Sequence, residues 1–488
     1  MVRFSRFSRF AQNDGENLTH CRGVKEEKPT LCRVNFEPTT NRAQSSLLEL
    51  PRCEGGNEGN ALVILNFEYG ILNYIIMAEI KDSKLFTPYK MGPVTLRNRV
   101  IRSAAFESMG KDFAPTQDLK DYHVSVARGG VGMTTLAYAS VNRSGISFNS
   151  QLWLRDEIVP ALRDITDAVH NEGAAVGVQI GHCGNMTHWS TAGCFPVSAS
   201  NGFNLYSPTF HRRMKPSEIT AFAKDFGKAV VTAHEAGFDS VEVHAGHGYL
   251  ISQFLSPWTN RRRDEFGGSL QNRMRFMNMC LEEVMEQAAR HNMAVLVKHN
   301  MEDGFRSGIQ IPESIEIAKQ IESFGVHGIV LSSGIVSRAP MAVMPGRIPT
   351  KTMGYYMGWN EWLQKIVVSL FGQWMIKDYD FEECFFLENA KKFRKELKGP
   401  LVYVGGLVSR EGIEKVLDEG FEMLQMARAL INDPNFVNKL REGDIKTKAG
   451  CDHRDYCIAR MYSDKMMCCH NCQEHIPERL WRELRKIK

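Results

Sequence analysis

From Lys84 onward, strand-like apolar runs alternate with amphipathic helical ones, and this alternation restricts the fold more than any other feature of the chain. The strand-like runs are 100–104, 131–141, 174–181, 240–244, 294–299, 328–333, 401–405 and 423–429. Helical spacing occupies 156–170, 216–236, 272–290, 312–324, 383–397 and 409–417. Strands that alternate with helices read as βαβ units and a parallel sheet. The pattern therefore predicts an α/β protein, either a (β/α)8 TIM barrel or an open doubly wound sheet. With 488 residues and 43% hydrophobic content, the chain buries a core large enough for a barrel with additions or for two or three domains.

Charge and cysteine usage narrow the function. A net charge of +4 with scattered basic residues gives no reason to propose nucleic acid. Five of the twelve cysteines fall within 451–472 and the others are widely spaced, unlike the dense framework of a small secreted domain. A reducing compartment and a cytoplasmic location are the expectation.

Residues 1–80 differ in character from the remainder of the chain. The opening Arg3, Arg6 and Arg9, interleaved with Phe and Ser, have the look of an organellar targeting segment, which would make the location mitochondrial, although Asp14 and Glu16 come soon after. Residues 61–77 are mostly apolar but carry Asn66, Glu68 and Asn73 and only just reach spanning length, so a membrane anchor is the weaker reading. The more economical expectation is a product that starts at Met77, preceded by an extension.

Two additions interrupt the 84–445 barrel. The connection 335–399 far exceeds an ordinary loop and carries Tyr355, Tyr356, Trp359, Trp362, Phe371 and Trp374. It is expected to fold as a lid or wall over the active site, with a subunit contact in a homo-oligomer as the competing reading. The tail 446–488 is Cys-rich and ends in Ile476, Leu480, Trp481, Leu484 and Ile487, whose spacing predicts an amphipathic helix docked on the barrel or on a neighbour.

The chemistry is concentrated at Val241-Glu242-Val243-His244-Ala245-Gly246-His247-Gly248-Tyr249-Leu250, with Gln253-Phe254-Leu255-Ser256-Pro257 and Arg263-Asp264-Glu265-Phe266-Gly267-Gly268-Ser269 just beyond it. Two imidazoles and a phenol leave one strand together, close enough to act on one small molecule. This long, irregular stretch closely resembles the signature of the old yellow enzyme family of FMN-dependent ene-reductases. The resemblance extends over about 84–472 and implies the barrel rather than the open sheet. It implies that His244 and His247 hold the electron-withdrawing oxygen of an activated alkene and that Tyr249 supplies a proton.

The same resemblance implies an FMN site. Gln179 would hydrogen-bond the flavin ring, and Lys298, a lysine inside an apolar strand whose burial demands an anionic partner, would face the ring's pyrimidine edge. Ser103, Ala104, Ala105 and Phe106 would run beneath the ring. Many relatives have a threonine or cysteine there, so Ala105 and Phe106 imply an altered potential. Gly405, Gly406, Ala427 and Arg428, at the ends of the last two strands, would take the phosphate. Ala427 departs from the glycine usual in the family.

In longer relatives a four-iron cluster occupies the tail. Here Cys451, Cys457, Cys468, Cys469 and Cys472 remain, but Arg454 stands where a Cys-x-x-Cys step would place its second cysteine, so an iron-sulfur cluster, zinc and metal-free thiols all stay open. Those relatives also continue into further nucleotide-binding domains. With the chain ending at Lys488, hydride is expected from NADH or NADPH bound directly or from a separate reductase. An oxidative amine or alcohol dehydrogenase and a non-catalytic flavin scaffold are the alternatives to alkene reduction.

Overall fold

A computed structural model describes residues 83–205, 208–358, 362–375 and 379–487, together with two short strands, Leu18–His20 and Leu31–Arg33. The chain separates into two units, 1–82 and 83–488. In the first, the two strands pair antiparallel with Leu18 opposite Arg33. The targeting and membrane-anchor readings of residues 1–80 otherwise lie outside the described residues, as does Trp359. Among the described residues no helix is long and apolar enough to cross a membrane.

The second unit is built on a closed parallel barrel. Its strands are β1 (Val100–Arg102), β2 (Met133–Ser140), β3 (Ala175–Gly181), β4 (Ser240–Ala245), β5 (Ala294–Asn300), β6 (Gly328–Ser332), β7 (Leu401–Val404) and β8 (Met423–Met426). Each hydrogen-bonds to its sequence neighbour, and β8 closes on β1 through Leu424 opposite Val100. The barrel, not the open sheet, is therefore the fold that the alternation encodes. All seven residues of β5 are buried, because barrel strands are covered by helices outside and side chains inside.

The surrounding helices are α1 (Gln117–Arg128), α2 (Val159–Asn171), α3 (Pro216–Glu235), α4 (Leu270–His291), α5 (Ile311–Ser323), α6 (Leu387–Glu396), α7 (Arg410–Asp418) and α8 (Phe436–Glu442). Their starts obey local chemistry. Ser269 and Ser409 accept N–H bonds at the first turns of α4 and α7, and Pro216 opens α3, where a missing N–H costs nothing. Helix α1 lies outside the helical spans read from periodicity. Its buried face is Leu119, His123, Val126 and Ala127, and the histidine breaks the apolar stripe.

Both additions pack against one another. Within 335–399, helix Thr350–Tyr356 meets helix Trp362–Met375, while the end of this stretch supplies α6 of the barrel itself. The tail helix Glu478–Leu484 buries Leu480 and Leu484 in a cluster with Tyr456, Cys469, Cys472, Ile476 and Ile487. Its Glu483 carboxylate accepts the N–H groups of Lys351 and Thr352 at 3.0 and 2.7 Å, capping the insertion's first helix. The tail thus docks on the insertion as well as on the barrel.

Candidate active site

At the carboxyl end of the strands lies a cavity of about 220 Å3, the position where barrel enzymes place their chemistry. The structure brings Ser103, Ala104, Ala105, Phe106, Gln179, His244, His247, Tyr249, Lys298, Ala427 and Arg428 to its wall. Gly405 and Gly406 are not part of that wall. Both have positive φ, and a side chain on Gly405 would collide with Phe386 and one on Gly406 with Phe385.

His244, next to last in β4, has its ring 5.1 Å from His247 and 4.4 Å from Tyr249. Gly246 N–H donates to His244 Nδ1 at 3.4 Å, which leaves the ring proton on Nε2. Burial, with the neighbouring His247 ring and the Lys298 ammonium, drives its pKa well below the usual histidine value. His247 is likewise lowered, to about 3, by burial and then by Lys298. Both rings are therefore neutral at physiological pH and each can donate one hydrogen bond.

The turn that carries them is held in an uncommon conformation. His247 sits at φ 57°, with its N–H donating to Asn300 Oδ1 at 2.9 Å and its carbonyl accepting from Val336 N at 3.1 Å. Gly248, at φ 83°, leaves no space for a Cβ beside Ile335. His247 Nε2 meets Ser332 Oγ at 2.7 Å, so the second donor to an incoming oxygen is a histidine and serine pair. Tyr138, from β2, stands edge-on to Tyr249 at 5.0 Å and donates to Gly145 O. Neither Ser332 nor Tyr138 belongs to the residues read from sequence. Both lie at strand ends in runs of small residues, the one signal available.

Behind the cavity wall is a buried polar ring. Lys298 Nζ lies 2.8 Å from Glu242 Oε1, which also accepts from Gln179 Nε2 at 2.6 Å. Glu242 Oε2 accepts from Gln425 Nε2 at 2.5 Å, and Ser103 Oγ donates to Gln425 Oε1 at 3.0 Å. The anionic partner that the burial of Lys298 demands is thus a side chain of this protein, with Glu242 only 1% exposed. Alternation along β4 could have found it: Glu242 and His244 share one face.

These residues suit a flavin ring. Gln179 donates one amide N–H to Glu242 and, at the cavity wall, still has a second N–H and an acceptor oxygen for a ring edge that offers both kinds of group, and Lys298 brings a cation to the same end. At the other end, Arg428 Nη1 is 2.8 Å from Asp455 Oδ1 and 3.2 Å from Pro345 O. Asp455 holds the Arg428 guanidinium above its usual value against the opposing effect of burial. Arg428, at the start of helix Arg428–Asn432, is thus a largely buried cation at the end of the cavity opposite Lys298.

The outer wall comes from both additions. Val336, Val343 and Met344 belong to the insertion, whereas Cys457, Ile458, Met461 and Met466 belong to the tail. The aromatic part of the insertion stands elsewhere, on the tail, with Tyr355 and Trp362 exposed.

The tail thiols fall into two groupings. Cys451, Cys457, Cys468 and Cys469 line a narrow pocket beside Arg428, while Cys472 is buried in the apolar cluster. Arg454 enters the same pocket and pairs with Asp452 at 2.9 Å, so a guanidinium shares the pocket with the four thiols. Among the described residues, the close-set donors are Asp452, Cys469 and His470, whose ligand atoms lie within 4.8 Å of one another.

Comparison with known proteins identifies the family. Residues 84–343 match the model of the NADH:flavin oxidoreductase / NADH oxidase family. The 4,4'-dithiodibutanoate disulfide reductase of Rhodococcus erythropolis is 35% identical over 388 residues, which are 79% of this chain and 95% of that protein. The NADH oxidase of Thermoanaerobacter brockii is 31% identical over 364 residues, 74% of this chain, and this chain spans about half (51%) of its length. The old yellow enzyme homologue from Zymomonas mobilis superposes with a TM-score of 0.59 at 23% identity, covering 78% of this chain and 96% of that one, and shows the shared barrel. This chain belongs to the NADH:flavin oxidoreductase / NADH oxidase family, the old yellow enzyme group, and is an oxidoreductase of that family.

Proposed function

We propose that this protein uses FMN and NADH or NADPH to reduce activated C=C bonds. The observation that carries this reading is the convergence of two neutral imidazoles and the Tyr249 phenol on one cavity whose far end holds Lys298 and Gln179. Flavin held by Gln179, Lys298 and Arg428 would supply hydride for the β carbon of the alkene. His244 Nε2–H and the His247 and Ser332 pair donate to the substrate's carbonyl or nitro oxygen and stabilise the charge that grows there, each donor contributing roughly 3 kcal/mol in a dry site. Tyr249 O–H then gives its proton to the α carbon and regains one from solvent, so that hydride and proton together saturate the bond.

The test begins with the purified protein's absorption spectrum, which should show bound FMN and shift when a phenol enters the cavity. Turnover is then compared across an enone, a nitroalkene, 4,4'-dithiodibutanoate and an amine. Alkene reduction fastest supports the proposal. A colourless protein, or turnover confined to the disulfide or the amine, overturns it.

The tail is proposed to hold one zinc-class divalent ion rather than an iron-sulfur cluster. His470 Nε2 is shielded from solvent and makes no hydrogen bond of acceptable geometry, although Asp452 Oδ2 stands 3.0 Å away. Two lone-pair donors so placed are close to the spacing, about 3.3 Å, of ligands bound at 2.0–2.1 Å in a tetrahedral site. Elemental analysis should find close to one zinc per chain, lost in Cys469→Ala/His470→Ala. Iron with acid-labile sulfide, or a metal-free chain after purification in zinc-supplemented buffer, would refute this.

A further inference from the structure

We infer that Glu242 is a positioning residue that sets the flavin's potential through Lys298 and Gln179. The inference rests on the flavin site proposed above. Glu242 does not reach the cavity wall, yet each of its carboxylate oxygens engages a side chain of the barrel interior. Three strands beside its own contribute: Gln179 from β3, Lys298 from β5 and Gln425 from β8. A carboxylate only accepts hydrogen bonds, so its presence fixes the direction of every neighbour. Gln179 and Gln425 must both present their N–H groups to it. The Gln425 carbonyl is then free to accept from Ser103, and Ser103 Oγ can in turn accept from Lys298 Nζ at 3.4 Å.

This arrangement alters the charge that the ring meets. Reduction places extra negative charge on the ring's pyrimidine edge, and a lone cation there favours the reduced state. Lys298 is not a lone cation. Glu242 stands 2.8 Å from its ammonium group, inside a barrel where charges act on one another with little screening by water. The two together present a dipole to the ring instead of a full positive charge, so the potential is held below the value that Lys298 by itself would give. The same carboxylate holds Gln179 by one of its two amide N–H groups and so fixes where that side chain meets the ring.

The variant Glu242→Gln removes the charge and keeps the shape. Titrated against a reference dye with FMN bound, it should shift the two-electron equilibrium toward reduced flavin by tenfold or more, an upward change of roughly 30 mV or greater. Glu242→Asp, which keeps the charge, should stay within about threefold of the parent by the same measure. The neutral double variant Glu242→Gln/Lys298→Met supplies a test that avoids a buried unpaired charge. If Glu242 offsets Lys298, the double variant should lower the potential by less than Lys298→Met alone does. If Glu242 were only a structural acceptor, the double variant would lose the lysine's whole effect and fall as far as Lys298→Met. A potential unchanged in Glu242→Gln, or a double variant lowered as far as Lys298→Met, overturns the inference. A parent protein that binds no FMN overturns the proposed function instead, so the two failures are distinct.

Discussion

Tyr249→Phe is expected to slow alkene reduction by about 10²–10⁴-fold while leaving flavin reduction by the nicotinamide within a factor of about two. Two features of the site support that asymmetry. The Tyr249 ring stays packed between His244 at 4.4 Å and Tyr138 at 5.0 Å, and phenylalanine preserves both contacts, so the shape against which a nicotinamide stacks is unchanged. The proton to the α carbon is needed only in the second half-reaction. Stopped-flow spectroscopy at the flavin's absorption band separates the two steps. Two unaltered steps would show that Tyr249 is not the proton donor, and an equal drop in both would make it a wall residue.

Arg102→Met is expected to cost about 3–5 kcal/mol of stability, enough to be decisive for a marginally stable fold. Arg102 is fully buried at the end of β1. Its guanidinium donates to Glu107 Oε1 at 2.5 Å, to Thr135 O at 2.8 Å and to Ala105 O at 2.7 Å, and it lies over the Tyr122 ring. Without it, the buried Glu107 carboxylate keeps only His123 Nε2 and the Ala137 N–H. Arg102 holds the Glu107 carboxyl below its usual value against the opposing effect of burial, which is the sign of a charge that depends on its partner. Urea unfolding should show the loss, and Arg102→Met/Glu107→Leu should recover most of it, because the double change removes the unpaired charge. A single-variant loss under about 1 kcal/mol would mean that the pair adds nothing. The bond to Ala105 O also ties this ion pair to the 103–106 segment that lines the flavin cavity.

How much of the fold and the site was legible in the sequence depended on range. The strands were legible because barrel burial makes most of their positions apolar, and their ends shifted where the chain turns, as at 401–404 and 423–426. His244, His247 and Tyr249 were legible because they sit within one short stretch. Ser332, Gln425 and Asp455 were not, since each acts through a residue far away in the chain: Ser332 on His247, Gln425 on Glu242, and Asp455 on Arg428. The two additions were recognisable by composition, but composition does not specify a docking partner. Pairing of the insertion with the tail depends on contacts such as Glu483 on Thr352, which no local pattern encodes.

The origin of the cavity's outer wall bears on how the protein is made. Translation delivers every barrel strand by Met426, yet Cys457, Ile458, Met461 and Met466 have still to emerge from the ribosome. The barrel strands are thus complete in sequence before these four residues of the cavity wall are, and a cut in the tail ahead of Cys457 would remove all four while leaving every strand in the chain.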